Sequence, residues 1–553
     1  MNIGEMQRKL SAWAEEDQEH RFFDLYHLLY NMDWLRLAHD HVAQNAGSIT
    51  AGCDGINMKL FDEQLEENLQ RLAAELRSEG FTPSPVRRVY IQKHNGSGKY
   101  RPLGIPAIRD RIVQEALRMV LEPIYEADFS QHSFGFRPNR RTMDAVKYAA
   151  MCTIGRQRYY WIIEGDISSY FDTIAHRRLV KLLRRRVKDE KLIRLIWKFL
   201  RAGVMEGKLF TDTKRGMPQG GIVSPLLANI YLHELDRYME KYTGLSGYQR
   251  LKRRRLGQAN FIYVRYADDF VVLCNGTKAQ AEELRGELSI FLKDKLRLRL
   301  SEEKTKITHL NDGFKFLGFW IRRCRGQKGM VTKLLIPREA KRAVLDKLKY
   351  CTSRLSHQES VVTKILSMNR IIDGWCRYYQ YASKTNADFD HIAHQVYWLM
   401  AHWLGRKYQL SIPRVMRRFG RDNSFGVGEY RLRRASEIKT TIYRDSVRKP
   451  NPYTTQVVTI RREEDHGIGH WTGTERRPGW ADLRPLVIKR DGYVCQICEA
   501  PVTERTAEVD HQKPYRRFKL PINANHPDNL WTLCRECHKW KTEHDRGLES
   551  RMR

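Results

Sequence analysis

Residues 261–274 read FIYVRYADDFVVLC. Two apolar runs, FIYV and FVVL, flank a pair of adjacent carboxylates, Asp268 and Asp269. Short runs rich in Val, Ile, Phe and Tyr read as strands, so the acidic pair reads as the tip of a β-hairpin. Asp suits turns, and a solvent-facing acidic turn is one reading. Two neighbouring anions repel each other, and a divalent cation is the simplest compensation. The rest of the chain decides between the two.

A second segment, YYWIIEGDISSYFD (159–172), ends an apolar strand at Glu164 and delivers Asp166 at its C-terminal edge. If both segments share a sheet, three carboxylates converge. Three carboxylates with phosphate oxygens suit two Mg²⁺ ions roughly 3.5–4 Å apart. One ion would activate a hydroxyl and the other would hold a leaving pyrophosphate. The protein would then mainly position and neutralise, as phosphoryl transfer requires.

Composition points the same way. The 553 residues carry 98 Lys and Arg against 65 Asp and Glu, a formal charge of +33. Such an excess repels itself unless a polyanion neutralises it, and nucleic acid is the leading partner. No apolar run is long enough to cross a membrane, and the N-terminus lacks an apolar signal core. Six of the ten cysteines are scattered, while Cys495, Cys498, Cys534 and Cys537 form two CxxC pairs. That pattern fits a reducing compartment with one metal site rather than a disulfide framework.

Along the chain, residues 1 to about 85 read as mainly helical, and TPSPVRRVYIQK as an extended basic segment. In HNGSGKYRPLGIP, Lys99 and Arg101 flank Tyr100; the segment reads either as a solvated charged hairpin or as a clamp whose cations suit triphosphate oxygens. QHSFGFRPNRR (131–141) interleaves aromatic and basic groups, a mixture suited to sugar–phosphate contacts; a turn between helices is the other reading. In RGMPQGGIVSPLLANIYL, glycines permit close backbone approach to a ligand, and Ser224 with Pro225 reads as an N-cap and first helical residue. YQRLKRRRLGQ (248–258) reads as a basic loop. Residues from about 335 to 410 read as helical, and 411–478 as a small, loosely structured module or linker.

RPLGIP, HSFGFRP, GDISSYFD, GMPQGGIVSPLLANIYL, YVRYADDF, EKTKI and FKFLGF follow one another in this order. Together they resemble the ordered motifs of a reverse transcriptase of the group II intron-encoded family. The resemblance covers residues from about 50 to 320. It implies a multidomain α+β protein, a right-hand polymerase whose fingers and antiparallel palm sheet occupy 1–325, with 1–85 as an N-terminal extension. It maps Asp166, Asp268 and Asp269 onto the metal-binding triad, and Ile167 would lend its backbone carbonyl. Phe171 falls at the steric-gate position that favours dNTPs. Gln219 falls in the loop lining the nucleotide pocket, Lys99 and Arg101 would touch the triphosphate, and 316–319 match the primer grip. DGWCRYYQY and HWLGRKY make 330–430 similar to the helical thumb and maturase domain. Residues 431–478 would be the DNA-binding segment or linker, by position.

The last segment holds CQIC (495–498), EVDH (508–511) and NLWTLCRECHKWKT (529–542). Two CxxC pairs suit a tetrahedral Zn²⁺ site. The whole pattern, at 479–553, resembles the HNH endonucleases, a ββα-metal fold. A neutral His511 can deprotonate water as general base. The resemblance makes Asp510 and His538 ligands of a divalent ion such as Mg²⁺, and Asn529 the residue that orients His511. The four cysteines would be structural, replacing a core that about 70 residues can hardly build.

The resemblance therefore implies an enzyme that binds its intron RNA, assists splicing, nicks target DNA and copies RNA from the exposed 3′ end. Its expected location is the bacterial cytoplasm, at the nucleoid during mobility; nothing in the sequence sets an oligomeric state. Two other readings are an RNA-binding splicing factor without polymerase activity and a host-recruited reverse transcriptase. The intact carboxylates argue against the first, and the appended C-terminal segments against the second.

Overall fold

The Asn2 side chain accepts from the Glu5 backbone N–H at 3.1 Å and starts helix α1 (Ile3–Glu16). Asn31 caps α2 (Met32–Ala43) likewise. The computed structural model describes residues 2–92, 100–154, 159–207, 209–213, 215–326, 329–444, 446, 449–454, 480–498, 500–504, 506–512, 529–539 and 541. Lys99, and 455–479 of the expected DNA-binding segment, lie outside the described residues. The chain divides into two compact units, Met1–Val458 and Thr459–Arg553.

After α3 (Met58–Asp62) and α4 (Leu65–Arg77), strands β1 (Val86–Gln92) and β2 (Tyr100–Ile105) pair antiparallel. Helix α5 (Ile108–Asp128) is buried on nearly every side. Its acids are paired: Arg118 reaches Glu115 at 2.6 Å and Glu122 at 2.7 Å, and Arg137 reaches Glu126 at 2.7 Å. Helix α6 (Thr142–Cys152) leads to β3 (Trp161–Gly165), and then come α7 (Tyr170–Thr173), α8 (His176–Leu183) and α9 (Glu190–Leu200). Strand β4 (Val204–Glu206) returns beside β1, and β5 (Leu209–Thr211) completes a sheet ordered β2–β1–β4–β5.

Helix α10 (Ser224–Thr243) begins at Ser224, with Pro225 in its first turn. The cap is Val223 rather than Ser224, and no side chain bonds the first turn there. The basic stretch read as a loop is largely a helix, α11 (Gly247–Arg255). Ser246 Oγ accepts from Gln249 N at 3.2 Å and Gln249 Oε1 from Ser246 N at 2.8 Å, a capping box. Next come β6 (Phe261–Tyr266), β7 (Asp269–Cys274), α12 (Lys278–Phe291) and β8 (Lys306–His309).

The central sheet is antiparallel, in order β6–β7–β3–β8. Its strands are apolar on both faces because both are covered. Ile163, Tyr263 and Val272 join the core around α5 and α10, whereas Ile162, Val264 and Val271 join a second core with α6 and the later helices. That explains why the strands read as continuous apolar runs rather than alternating ones.

Strands β9 (Phe314–Phe316), β10 (Phe319–Gly326) and β11 (Gly329–Leu335) form a separate antiparallel sheet. Helices α13 (Arg338–Cys351), α14 (Val361–Tyr379), α15 (Thr385–Tyr408) and α16 (Ile412–Phe419) follow, then the short strands β12 (Gly420–Arg421), β13 (Ser424–Val427) and β14 (Tyr430–Arg431). The described part of the segment read as a loose module is fixed to the body. Tyr443 O–H donates to Asp144 at 2.6 Å, Lys449 pairs with the same carboxylate at 3.3 Å, and Tyr453 O–H donates to Glu122 at 2.6 Å. Asn451 donates to Ser11 and Glu15 of α1. Asp144 is fully buried, so this strap satisfies a charge that burial would otherwise penalise.

The second unit holds α17 (Trp480–Arg490) and an antiparallel pair, β15 (Ala507–His511) and β16 (Leu530–Cys534). Its core is small and includes Val487, Ile488, Val509, Leu530 and Leu533.

Candidate functional site

The central sheet gathers the three carboxylates at one end. The β3–β7 register closes at Gly165↔Phe270, so its next step sets Asp166 opposite Asp269. The β6–β7 pairing closes at Tyr266↔Asp269, which leaves Ala267 and Asp268 as a two-residue turn. Ala267 is left-handed, with φ +57°. The expected hairpin and its acidic tip are thus present. Asp166 Oδ2 accepts from Lys304 Nζ at 2.9 Å, and Ile167 is buried beside Leu300.

Burial, with a further push from Asp166, raises Asp268 above the usual carboxylate range. Burial and repulsion from Asp268 and Asp166 raise Asp269 to about 6, with Lys304 and Arg101 opposing. Asp269 is nevertheless exposed to solvent, so water screens part of that repulsion. The three carboxylates share one end of the sheet, but their ligand atoms do not all lie within 4.8 Å of one another, and Lys304 occupies the Asp166 carboxylate.

What holds the turn is Arg265, which is wholly buried. Its guanidinium donates to Asp236 at 2.7 and 2.5 Å, to Asn229 Oδ1 at 2.9 Å and to the Ala267 carbonyl at 3.0 Å. Asn229 in turn donates to the Gly135 carbonyl at 2.8 Å. Residues 132–134 run beside β6, with Phe134 N donating to Arg265 O and Arg265 N to His132 O, both at 2.9 Å. A Cβ on Gly135 would lie 2.4 Å from Ala267 N, so only glycine fits against the turn. Within 131–141, the stretch read as suited to sugar–phosphate contacts or as a turn between helices, Arg137 and Arg140 are buried in the interior. Arg137 is spent on Glu126 and the carbonyls of Ser130 and Ser133.

The loop holding Gln219 is zipped to the segment holding Phe171. Met217 N donates to Phe171 O at 2.7 Å, and Gly216 N to Ile174 O at 2.8 Å. On the other side Gly104 N donates to Gln219 O at 2.6 Å. Gly216 has φ +82°, and a Cβ there would lie 2.8 Å from Asp172 O. His176 Nε2 sits 2.6 Å from the Gly216 carbonyl, which requires the proton on that nitrogen. A cleft of about 330 Å³ adjoins the loop, lined in part by Arg88, Tyr90, Pro102 and Gln219. Arg101 is exposed on β2, and its charge reaches Asp268 and Asp269. The 316–319 turn is held from α14: Tyr378 O–H donates to Leu317 O at 2.8 Å and Tyr379 O–H to Gly318 O at 3.1 Å.

In the second unit, the ligand atoms of Cys495, Cys498, Cys534 and Cys537 lie within 4.8 Å of one another. Among the described residues this is the one group of three or more His, Cys, Asp or Glu side chains so gathered. Burial opposes charge on Cys495, but the backbone N–H groups of Cys498, Cys534 and Ile497 outweigh it and bring the thiol down to about 6. Asp510 and His511 end β15, with His511 paired to Leu530. Asn529 O accepts from Gln512 N at 2.6 Å, which ties it to the residue after His511. Asp510 Oδ2 lies 3.3 Å from Lys541 Nζ, and His511 is buried. His538 lies in the helical turn after Cys534.

Sequence reading passed over three contributors: Arg265, His176 and Lys304. Arg265 and Lys304 stand inside quoted motifs, YVRYADDF and EKTKI, but nothing local marks a buried fork or a cation reaching across the sheet. His176 opens a helix and shows its role only once the loop at 216 is folded against it.

A sheet that presents three carboxylates at one end, beside a glycine-rich loop and basic strands, has the make-up of a nucleic-acid polymerase. Family comparison agrees along the chain. Residues 91–321 match the family described as reverse transcriptase (RNA-dependent DNA polymerase), 341–420 the group II intron maturase-specific domain, and 495–544 the HNH endonucleases. Protein YkfC of Escherichia coli (strain K12) is 44% identical over 363 residues, 62% of this chain and 94% of that protein. The group II intron-encoded protein LtrA of Lactococcus lactis subsp. cremoris is 35% identical over 451 residues, 68% of this chain and 74% of LtrA. The putative COX1/OXI3 intron 2 protein of Saccharomyces cerevisiae is 28% identical over 498 residues, 75% and 56%. The chain belongs to the group II intron-encoded proteins: it is a reverse transcriptase and maturase that also carries an HNH endonuclease domain. The readings as a polymerase-free splicing factor or a host-recruited enzyme are not favoured. No helix among the described residues is long and apolar enough to cross a membrane.

Proposed function

We propose that the chain binds the RNA of its own intron, promotes splicing, nicks a DNA target with the HNH module and copies the RNA from the exposed 3′ end. In this reading 1–325 are the fingers and palm of a right-hand polymerase, 330–430 the thumb and maturase domain, and 479–553 the nuclease. The observation that carries it is the convergence of Asp166, Asp268 and Asp269 at one end of a single sheet.

The donor set would fit divalent ions: three carboxylates at one end of the sheet, two of them raised by burial and by the charge of neighbouring carboxylates, with Lys304 as the cation that Mg²⁺ would displace from Asp166. Asp166, Asp268, Asp269 and the Ile167 carbonyl would hold two Mg²⁺. When bound, such ions lower the pKa of the primer 3′ hydroxyl and neutralise the charge that develops on the phosphoryl oxygens. Arg101, with Lys99, neutralises the triphosphate. Phe171 bars a 2′-OH and so selects dNTPs, while Gln219, fixed through its carbonyl by Gly104, shapes the nucleotide pocket. The 316–319 turn, tethered by Tyr378 and Tyr379, bears on the primer.

In the nuclease, a ring nitrogen of His511 takes the proton from the attacking water, and Asn529 holds that ring in place. Asp510 and His538 would hold a divalent ion, and Lys541 neutralises Asp510 in its absence. The four cysteines suit Zn²⁺, which would staple a unit whose own core is small.

The test is direct. Purified protein with an RNA template, a DNA primer and dNTPs should make cDNA with Mg²⁺ and none with EDTA. With its intron ribonucleoprotein it should nick one strand of the target DNA, and His511→Ala should lose nicking alone. Loss of both activities in His511→Ala would count against separate modules.

A further inference from the structure

Helix α11 has no part in the polymerase or nuclease sites, yet it is built with care. Between Glu240 and Asp268 the sequence holds no carboxylate but seven Lys or Arg residues. Two of these fasten the helix. Arg250 donates to Thr243 O at 2.8 Å, and Arg253 donates to Ala259 O at 2.9 Å while lying over the Tyr242 ring. Asn260 Nδ2 donates to the Arg250 carbonyl at 3.0 Å. Three others, Lys252, Arg254 and Arg255, are exposed, and among the described residues none of them is in an ion pair.

A basic last turn suits the helix dipole, which accounts for charge there but not for what accompanies it. Tyr248 is 74% exposed and Leu256 64%, with Leu251 also exposed. Helical spacing sets Tyr248, Leu251, Lys252 and Arg255 on one face. Single exposed apolar side chains are ordinary on a protein surface, but here an aromatic ring and two leucines share one short helix with three unpaired cations. They suit a partner with a phosphate backbone and unstacked bases. Behind the helix is a recess of about 250 Å³ lined by Arg250, Arg254, Tyr159 and Asn260. Asn260 is buried, and its Oδ1 has no partner there.

The position matters as much as the chemistry. Helix α11 enters the sheet at Phe261, and the carboxylates lie at the other end of β6. At about 3.3 Å per residue, that strand separates its Phe261 end from the carboxylate end by roughly 17 Å.

We propose that α11 and the recess behind it form a docking surface for a folded single-stranded region of the intron RNA. The cations hold its phosphodiester backbone and Tyr248 stacks on one of its bases. The inference rests on the reading of the chain as an intron RNA-binding maturase, and it assigns to that RNA a site separate from the template path.

The test compares wild type, the triple variant Lys252→Gln/Arg254→Gln/Arg255→Gln, and Tyr248→Ala. The probes are the transcript of the intron surrounding the coding sequence and a DNA duplex of equal length. The triple variant should lose at least tenfold in affinity for the transcript at 150 mM salt. Its slope of log affinity against log salt should become shallower by two to three, about one for each phosphate contact removed. Tyr248→Ala should lose about five- to tenfold without a change in slope, the signature of a lost stack. Duplex affinity, and primer extension on a short oligonucleotide template, should stay within twofold of wild type. Transcript affinity within twofold in the triple variant would make this a solvated face and overturn the proposal. An equal loss on the duplex would make it a DNA surface and overturn it too. Wild type that fails to bind the transcript would instead overturn the maturase reading on which it rests.

Discussion

Asp236 does not touch the proposed catalytic cleft, yet replacing it should disable the polymerase. Its carboxylate receives two bonds from Arg265, and both side chains are fully buried. Burial alone would raise Asp236, but the Arg265 guanidinium outweighs it and holds the carboxyl far below the usual range. Asp236→Asn leaves that guanidinium buried without a counter-charge. Breaking a buried pair from one side costs about 3–5 kcal/mol, enough to lower the melting temperature by several degrees. The second effect is on geometry. Arg265 also holds the Ala267 carbonyl and, through Asn229, the Gly135 carbonyl, so a reoriented fork moves the turn that carries Asp268. A displacement of about 1 Å in a catalytic group costs about 10²-fold in rate. Arg265→Lys separates the two effects, because it keeps a charge beside Asp236 but cannot reach all three partners. It should fold, bind RNA and lose about 10²-fold in single-turnover primer extension. The sign of the pH dependence is fixed: a depressed carboxylate stabilises the fold above its ordinary pKa and loses that contribution only as pH falls toward its folded value. The Asp236→Asn penalty should therefore be the same at pH 6 and pH 8. Wild-type stability in Asp236→Asn together with extension within threefold in Arg265→Lys would refute this reasoning.

Other outcomes follow from the same geometry. Asp268 and Asp269 are raised, so protons compete with the cation for them. The Mg²⁺ needed for half-maximal extension should rise as pH falls through 6, checked by Mg²⁺ titrations at pH 6 and 8. Gly216→Ala places a Cβ against Asp172 in left-handed backbone; it should raise KM for dNTP more than it lowers kcat, read from steady-state extension. Cys534→Ser, or a strong chelator, should unfold the nuclease unit and release its metal while extension persists, followed by zinc release and limited proteolysis.

The hairpin and its carboxylates were legible because β-branched and aromatic runs covered on both faces have few alternatives to a central strand. Asp166 was legible too, since it ends such a run. What escaped was set by distant contacts. Arg137 and Arg140 look like surface cations in QHSFGFRPNRR until the buried Glu126 is known to sit across from them. The 248–258 stretch has strong helix formers and a Ser246–Gln249 box, but its run of charge outweighed them in a local reading. Residues 431–454 show no periodicity because single side chains, Tyr443, Lys449 and Tyr453, hold the segment rather than a repeating face. The cysteine quartet was plain from spacing alone.

The carboxylate site is the centre of the account, and Asp268→Ala tests it most directly. Mg²⁺-dependent extension of a DNA primer on an RNA template should fall below detection, with intron RNA binding at wild-type strength. Synthesis at the wild-type rate in Asp268→Ala would contradict the assignment.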